Sequence, residues 1–216
     1  VVNNTIRGHY QALQIQVSSG SLNLPLATMH SNTATGNSLN GLVFGGTLSG
    51  DSVIGPTNNL TYVNRGLSVS GATLDILAGT VIKSISNAGI SVYGSLNLQG
   101  AAGSEVILTS FRDDSVGGDT NGDGSASQPG STDWGNVSAY AGGTVAVDHS
   151  ILRYGGYNSY GYYGLIFVGG GSATVTNSVL AHGYHGAWLG SGSLSITGSE
   201  VANNSNWGVR TSSGTL

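Results

Sequence analysis

Asp119, Asn121 and Asp123 place oxygen-bearing side chains at alternate positions of the segment DTNGDG, which ends on Gly124. Alternate spacing lets such side chains converge on one cation, and glycine permits the sharp turn, so the segment reads as the first half of a calcium loop of EF-hand or dockerin type. The twelfth position counted from Asp119 is Gly130, so no carboxylate closes the shell there, and no helical pattern follows. Closure falls instead to Asp113, Asp114 or Asp133, or to a backbone carbonyl such as that of Ser125. Asp113, Asp114, Asp119, Asp123 and Asp133 are five of the chain's ten acidic residues. Gathered in one segment, they repel one another unless a cation sits between them. The competing reading is a solvated acidic turn.

Other residues offer weaker chemistry. His182 and His185, in HGYH, have the side chains to ligate a metal, but two nearby histidines without a third partner read equally as a turn. Tyr154, Tyr157, Tyr160, Tyr162 and Tyr163 are half of the ten tyrosines, crowded into YGGYNSYGYYG. Each offers a flat apolar face with a polar tip, suited to a sugar or a protein partner; the alternative is a Gly/Tyr loop packing over its own strands. The pairs Asn3/Asn4, Asn58/Asn59 and Asn203/Asn204 read as turn residues able to stack in hydrogen-bonded ladders. Asn3, Asn59, Asn136 and Asn203 head glycosylation sequons.

Composition narrows what these residues can serve. The chain has 216 residues with 37 Gly, 3 Pro, 7% charged and 38% hydrophobic residues, a balance that favours ordered strands over disorder. Its six basic residues are scattered and the net charge is −4, so no stripe exists to track a phosphate backbone and nucleic acid is not an expected partner. No apolar run of about 18 residues is present to span a membrane. With no cysteine there is neither a disulfide framework nor a thiolate metal site. The chain begins without a charged-then-apolar leader, which fits a piece of a longer chain, and its thiol-free, Gly/Ser/Thr/Asn-rich composition suits a bacterial or archaeal exterior.

The elements that must carry these residues are strands. Helical periodicity is absent, whereas short alternating runs punctuated by Gly recur at a nearly fixed interval. GLSVSG at Gly66 and GISVYG at Gly89 are 23 residues apart; GLIFVG at Gly164, GAWLGS at Gly186 and GVRTSS at Gly208 follow one another at 22. A chain winding in one direction with this period stacks each short strand in parallel on its equivalent, one coil later. Ile90, Val92, Leu96, Leu98, Val106 and Leu108 then form apolar columns inside a solenoid. From Gly89 to the next coil start, Gly135, is 46 residues, and removing the 22 from Arg112 to Asp133 leaves 24, so the acidic segment is an insertion between two ordinary coils. The tyrosine segment stretches the coil from Gly135 to Gly164 to 29 residues. Residues 49–65 lack the pattern and read as a junction between the last coils of one unit, 1–48, and a second unit, 66–216, within one continuous solenoid. Joining Gly214, Thr215 and Leu216 to Val1, Val2, Asn3 and Asn4 continues the pattern set from Gly171, which fits one repeat of an end-to-end array; the alternative is that any coil end suits any coil start.

At GATLDILAGTVIK, GSLNLQGAAGSEVILTS, DDSVGGDTNGDG and DWGNV the chain resembles the right-handed parallel β-helix repeat proteins of bacterial and archaeal cell surfaces, over roughly Leu60 to Leu216. The resemblance implies an all-β, right-handed parallel β-helix of about eight coils of 22–29 residues with a loop insertion at 112–133. It also implies a non-enzymatic adhesin, stalk or filament module at the cell surface, which continues or self-associates end to end and has surface glycans among its possible partners. Carbohydrate-binding or polysaccharide-cleaving β-helices are the alternative. Cleavage needs paired carboxylates or a strong base near bound Ca²⁺, and the acids here lie in one loop with few basic residues, so the expectation is Ca²⁺ as a structural ion and no catalysis.

Overall fold

The computed structural model describes residues 1–21, 23–24, 31–56, 60–158 and 161–216. Asn58, Asn59 and Tyr160 lie outside the described residues. Strands follow in the order β1 (Thr5–Arg7), β2 (Gln11–Val17), β3 (Asn23–Leu24), β4 (Thr33–Thr35), β5 (Leu39–Leu48), β6 (Ser52–Ile54), β7 (Tyr62–Leu77), β8 (Val81–Ser84), β9 (Ile90–Gln99) and β10 (Val106–Ser110). After the acidic segment come β11 (Val137–Tyr140), β12 (Thr144–Asp148), β13 (Ser150–Arg153), β14 (Tyr157–Asn158), β15 (Gly161–Tyr162), β16 (Gly164–Thr176), β17 (Val179–Ala181), β18 (His185–Thr197), β19 (Glu200–Ala202) and β20 (Val209–Thr211). Among the described residues there is no helix, and sixteen of the strands belong to one sheet whose pairings are parallel. This stacking is compatible with a β-solenoid.

Two ladders organise the sheet. One runs β2, β5, β7, β9, then β11 with β12, then β16, β18 and β20. The other runs β7, β8, β10, β13, β17 and β19. Residues 49–65, junction-like in sequence, contribute β6 and the start of β7 to the same sheet. Val137 pairs with Ile90 and Ser150 with Val106, so the strand stack resumes directly beyond the acidic segment. Ile90, Val92, Leu96, Leu98, Val106 and Leu108 are each 0–1% exposed and share one core with Leu42, Phe44 and Trp134, among others.

The register departs from the glycine spacing at two places, the first where Ile90 pairs with Val137, which sets Asn136 rather than Gly135 opposite Gly89. At the second, Gly164 lies opposite His185 rather than Gly186, and Ile166 and Val168 lie opposite Ala187 and Leu189. A one-residue slip in a strand sends its whole apolar set to the other face. Core burial of Ala187 and Leu189 therefore selects the register over the match of two glycines.

Short second-ladder strands are bounded by single residues in left-handed backbone conformation. Tyr154, His182 and Asn203, at φ 65°, 56° and 53°, follow β13, β17 and β19. Asn tolerates this region best among residues with a side chain. His182 thus sits in a turn, its ring stacked on Tyr154 at 5.5 Å.

Candidate functional site

On the face of β5 and β7 opposite the main core, Leu39, Val43 and Val63 form a second buried cluster with Ile85 and Phe111. Val43 pairs with Val63, Val63 with Lys83, and Lys83 with Thr109, so one row of side chains on this face passes from apolar to polar across successive strands. The acidic segment lies over this row and is held from several strands at once. The Asn40 backbone N–H donates to the Thr120 carbonyl at 2.7 Å, and Thr61 Oγ1 donates to the Gly117 carbonyl at 2.6 Å. Lys83, whose side chain is fully buried, donates from Nζ to the Gly118 carbonyl and approaches Asp114 at 4.0 Å.

Gly117 shows why this path needs glycine. Its φ is +65°, and a Cβ there would come within 2.6 Å of Thr61 Oγ1. Gly117→Ala is expected to cost about 1–2 kcal/mol from the left-handed backbone alone. Hydrogen exchange at the Asn40 amide, which bonds the loop, reports whether docking is lost, and unchanged protection together with an unchanged melting temperature would contradict this account.

Within the loop, oxygens of Asp114, Asp119 and Asp123 lie within 4.8 Å of one another, a group that could hold a metal ion. Two oxygens bound to one calcium are at most about 5 Å apart, so the cluster is of the right size. Asp114 Oδ1, Asn121 Oδ1 and Asp123 Oδ1 are buried and have no hydrogen-bond partner among the described residues, Asp114 Oδ1 being the atom that faces Lys83 Nζ at 4.0 Å. The second oxygen of Asp123 accepts from Asn121 Nδ2 at 2.9 Å and from Ser127 Oγ. Asp119 accepts from the backbone N–H groups of Gly122, Asp123 and Gly124 at 2.7, 3.2 and 2.9 Å, which sets the turn. Desolvation raises the Asp114 pKa, and Asp119, Asp123 and Asp113 add to the rise against the pull of Lys83. Lys83 itself is lowered to about 8, because burial outweighs the attraction of the surrounding carboxylates. A groove of about 560 Å³ beside the loop is lined by Ser84, Ser110, Arg112, Asn121, Asp123 and Asp133 among others, so it reaches the cluster at Asp123.

The other two aspartates have different partners. Asp113, 2% exposed, meets Arg153 of β13 at 2.7 Å and accepts hydrogen bonds from Thr109 Oγ1 and from Ser115 Oγ at 2.6 Å. Burial alone would raise its pKa, but the hydrogen bonds from Ser115 and Thr109 and the Arg153 guanidinium outweigh it, and the carboxyl titrates below its ordinary value. Asp133 meets Arg112 at 3.2 Å and accepts from Ser110 Oγ at 2.6 Å and the Gly130 N–H at 3.0 Å. Asp113 and Asp133 therefore staple the two ends of the loop to the sheet. Lys83 and Arg153, the cations that decide this division, carry no local sequence signal beyond being two of only six basic residues.

Tyrosines and histidines from the sequence candidates assemble elsewhere. Tyr157 pairs with Tyr162 in the antiparallel β14–β15 hairpin, and Tyr163 packs against Phe167 and stacks on Trp188 at 4.9 Å. Arg210 lies over Trp188 at 4.3 Å and over Trp207 at 4.7 Å. His185 is buried; its Nδ1 accepts from the Trp207 N–H at 3.3 Å, and burial and then Arg210 lower its pKa. His182 stands in the turn stacked on Tyr154, apart from this arrangement. Among the sequons, Asn3 and Asn203 are exposed, whereas Asn136 is 3% exposed. No helix among the described residues is long and apolar enough to cross a membrane. Comparison with known protein families, curated proteins and solved structures finds no match to the chain.

Proposed function

We propose that the chain is a structural, non-enzymatic module of an extracellular adhesin, stalk or filament at a cell surface, with Ca²⁺ bound in the acidic loop. In this reading the strands form a right-handed parallel β-helix of about eight coils, roughly 40 Å long at the usual strand spacing, continued covalently or by self-association end to end. The observation that carries the cation is the triad of Asp114, Asp119 and Asp123, whose oxygens lie within 4.8 Å of one another on a loop pinned to the sheet, with one buried oxygen each of Asp114 and Asp123 lacking a hydrogen-bond partner among the described residues. Ca²⁺ suits them better than Mg²⁺ because it accepts six to eight oxygens in flexible geometry, and the absence of His and Cys from the cluster disfavours zinc or copper. A role in cleavage draws no support from Asp113 and Asp133, since each is engaged by an arginine.

Thermal unfolding with Ca²⁺ and with chelator tests the ion. At a free Ca²⁺ concentration 100-fold above Kd the folded state gains about 2.7 kcal/mol, and Asp119→Ala and Asp123→Ala remove that gain. Equal melting temperatures in Ca²⁺ and chelator would sink the proposal.

A further inference from the structure

Tyr93 on β9 and Tyr140 at the end of β11 stand before and after the acidic segment in the chain and meet on the outward side of the first ladder. Ala139 pairs with Val92, so Tyr140 and Tyr93, the next residue of each strand, come side by side. Val92 and Ala139 are 0% exposed, which turns the two tyrosines outward. Their rings stack with centroids 5.0 Å apart and planes 15° from parallel, and Tyr93 is 49% exposed. Small residues flank the pair along the ladder: Ser70 pairs with Tyr93 on one side, and Gly169 and Gly170 lie opposite Tyr140 on the other. The Tyr140 ring has one further ring neighbour among the described residues, Phe167, edge-on at 6.2 Å. Neither tyrosine stacks on any other tyrosine among those residues.

The main chain fixes the points from which both rings leave. The Gly143 N–H donates to the Tyr140 carbonyl at 2.7 Å, and a Cβ at Gly143 would stand 2.1 Å from the Val92 carbonyl oxygen. A Cβ at Gly94, the residue after Tyr93, would stand 2.3 Å from the Ala72 carbonyl oxygen. Backbone packs on backbone here at a range that no side chain permits. Holding two reacting groups in contact converts a bimolecular coupling into an intramolecular one. The hydroxyls of Tyr93 and Tyr140 have no protein partner among the described residues, so their protons are free to pass to water.

We infer that Tyr93 and Tyr140 are an oxidative modification site, at which a one-electron oxidant joins the two rings by a carbon–carbon bond into a dityrosine bridge between β9 and β11. Each phenol gives up one electron and its hydroxyl proton, and the two phenoxyl radicals pair through ring carbons ortho to the oxygens. The two ortho hydrogens then shift to the oxygens and restore both phenols, so the pair loses two electrons and two protons in all. A haem peroxidase with hydrogen peroxide is an oxidant of this class: the peroxide takes up the two electrons and two protons and becomes two molecules of water. The bridge closes residues 93–140, acidic segment included, into a covalent loop, in a chain with no cysteine to supply a disulfide. A crosslink of this kind constrains the unfolded chain and so favours the folded one. This inference does not depend on the cation site.

The full chain is treated with peroxidase and limiting hydrogen peroxide, and followed by dityrosine fluorescence and by mass spectrometry of its peptides. The expected product is a single chain lighter by two hydrogen atoms, with the peptides that carry Tyr93 and Tyr140 joined. Its yield is unchanged when the protein is diluted about tenfold, as an intramolecular reaction requires. Tyr93→Phe and Tyr140→Phe, which keep the rings, each abolish the product, while Tyr10→Phe leaves it. Unfolding the chain in denaturant before oxidation lowers the yield at least about tenfold, because the rings are no longer held together. The bridged chain melts at least about 5 °C higher than the open one. The inference is overturned if the Tyr93 and Tyr140 peptides are not joined within one chain, if either phenylalanine variant retains the intramolecular dityrosine yield, if the denatured chain reacts as well as the folded one, or if the bridged chain melts no higher.

Discussion

Asp113→Ala lowers the stability of the chain by about 3–5 kcal/mol, the range for removing one partner of a buried ion pair. Asp113 is 2% exposed, and its carboxylate satisfies Arg153, Thr109 and Ser115 together. Alanine leaves the Arg153 guanidinium partly buried without its counter-ion and frees the start of the acidic loop from the sheet. Arg153→Met in the same chain removes the stranded charge and recovers part of the loss, giving a coupling energy of at least about 1 kcal/mol in the double-mutant cycle. The pH dependence has a definite sign. The folded Asp113 carboxyl titrates below its ordinary 3.8, so its contribution is fully present above the unfolded value and is lost as pH falls through the lower folded value. Acid unfolding of the wild type therefore includes a proton uptake that Asp113→Ala lacks. A loss smaller than about 1 kcal/mol in denaturant titrations at neutral pH would show that the loop does not depend on this staple.

Trp134→Ala is the second large effect, about 3–5 kcal/mol by loss of a fully buried aromatic side chain. Trp134 is 0% exposed and ends the acidic segment where the chain re-enters the stack. Its Nε1 donates to the Arg153 carbonyl at 2.8 Å, and its backbone bridges to Gly155. Gly155 admits the ring, since a Cβ there would stand 2.5 Å from it. Trp134→Phe keeps most of the apolar surface and loses the N–H, so it costs about 1–3 kcal/mol for the carbonyl left unpaired. The ordering Ala worse than Phe, read from melting temperatures, distinguishes core packing from the hydrogen bond. Equal losses would mean that the hydrogen bond alone holds the re-entry point.

Particular residues show what was legible before the fold was known. The alternation that puts Ile90 and Val92 inside is local, because successive side chains of a strand point to opposite faces. Spacing also marked Asp119, Asn121 and Asp123 as a set; oxygens of Asp119 and Asp123 do gather with one of Asp114, whereas Asn121 turns its Nδ2 to Asp123. The choice between Asp113 and Asp114 was not legible. These neighbours turn opposite ways, Asp113 to Arg153, 40 residues further along the chain, and Asp114 towards Lys83 and the other carboxylates. The apolar cluster of Leu39, Val43 and Val63 beneath the loop was equally hidden, since on the sequence alone outward valines are only the second half of an alternation.

Period, strand content, the place of the insertion and the oxygen-rich turn are determined by the sequence itself, because each is carried by residue types and their spacing along the chain, whatever meets whatever in space. Register between Gly164 and His185, the docking of the loop by Lys83 and Arg153, and the stacking of Tyr140 on Tyr93 were decided only by the tertiary structure. In a stacked parallel sheet the neighbours of a side chain lie a whole coil away. Which residue meets which depends on the summed burial of entire strands, a quantity that no short stretch of the chain contains.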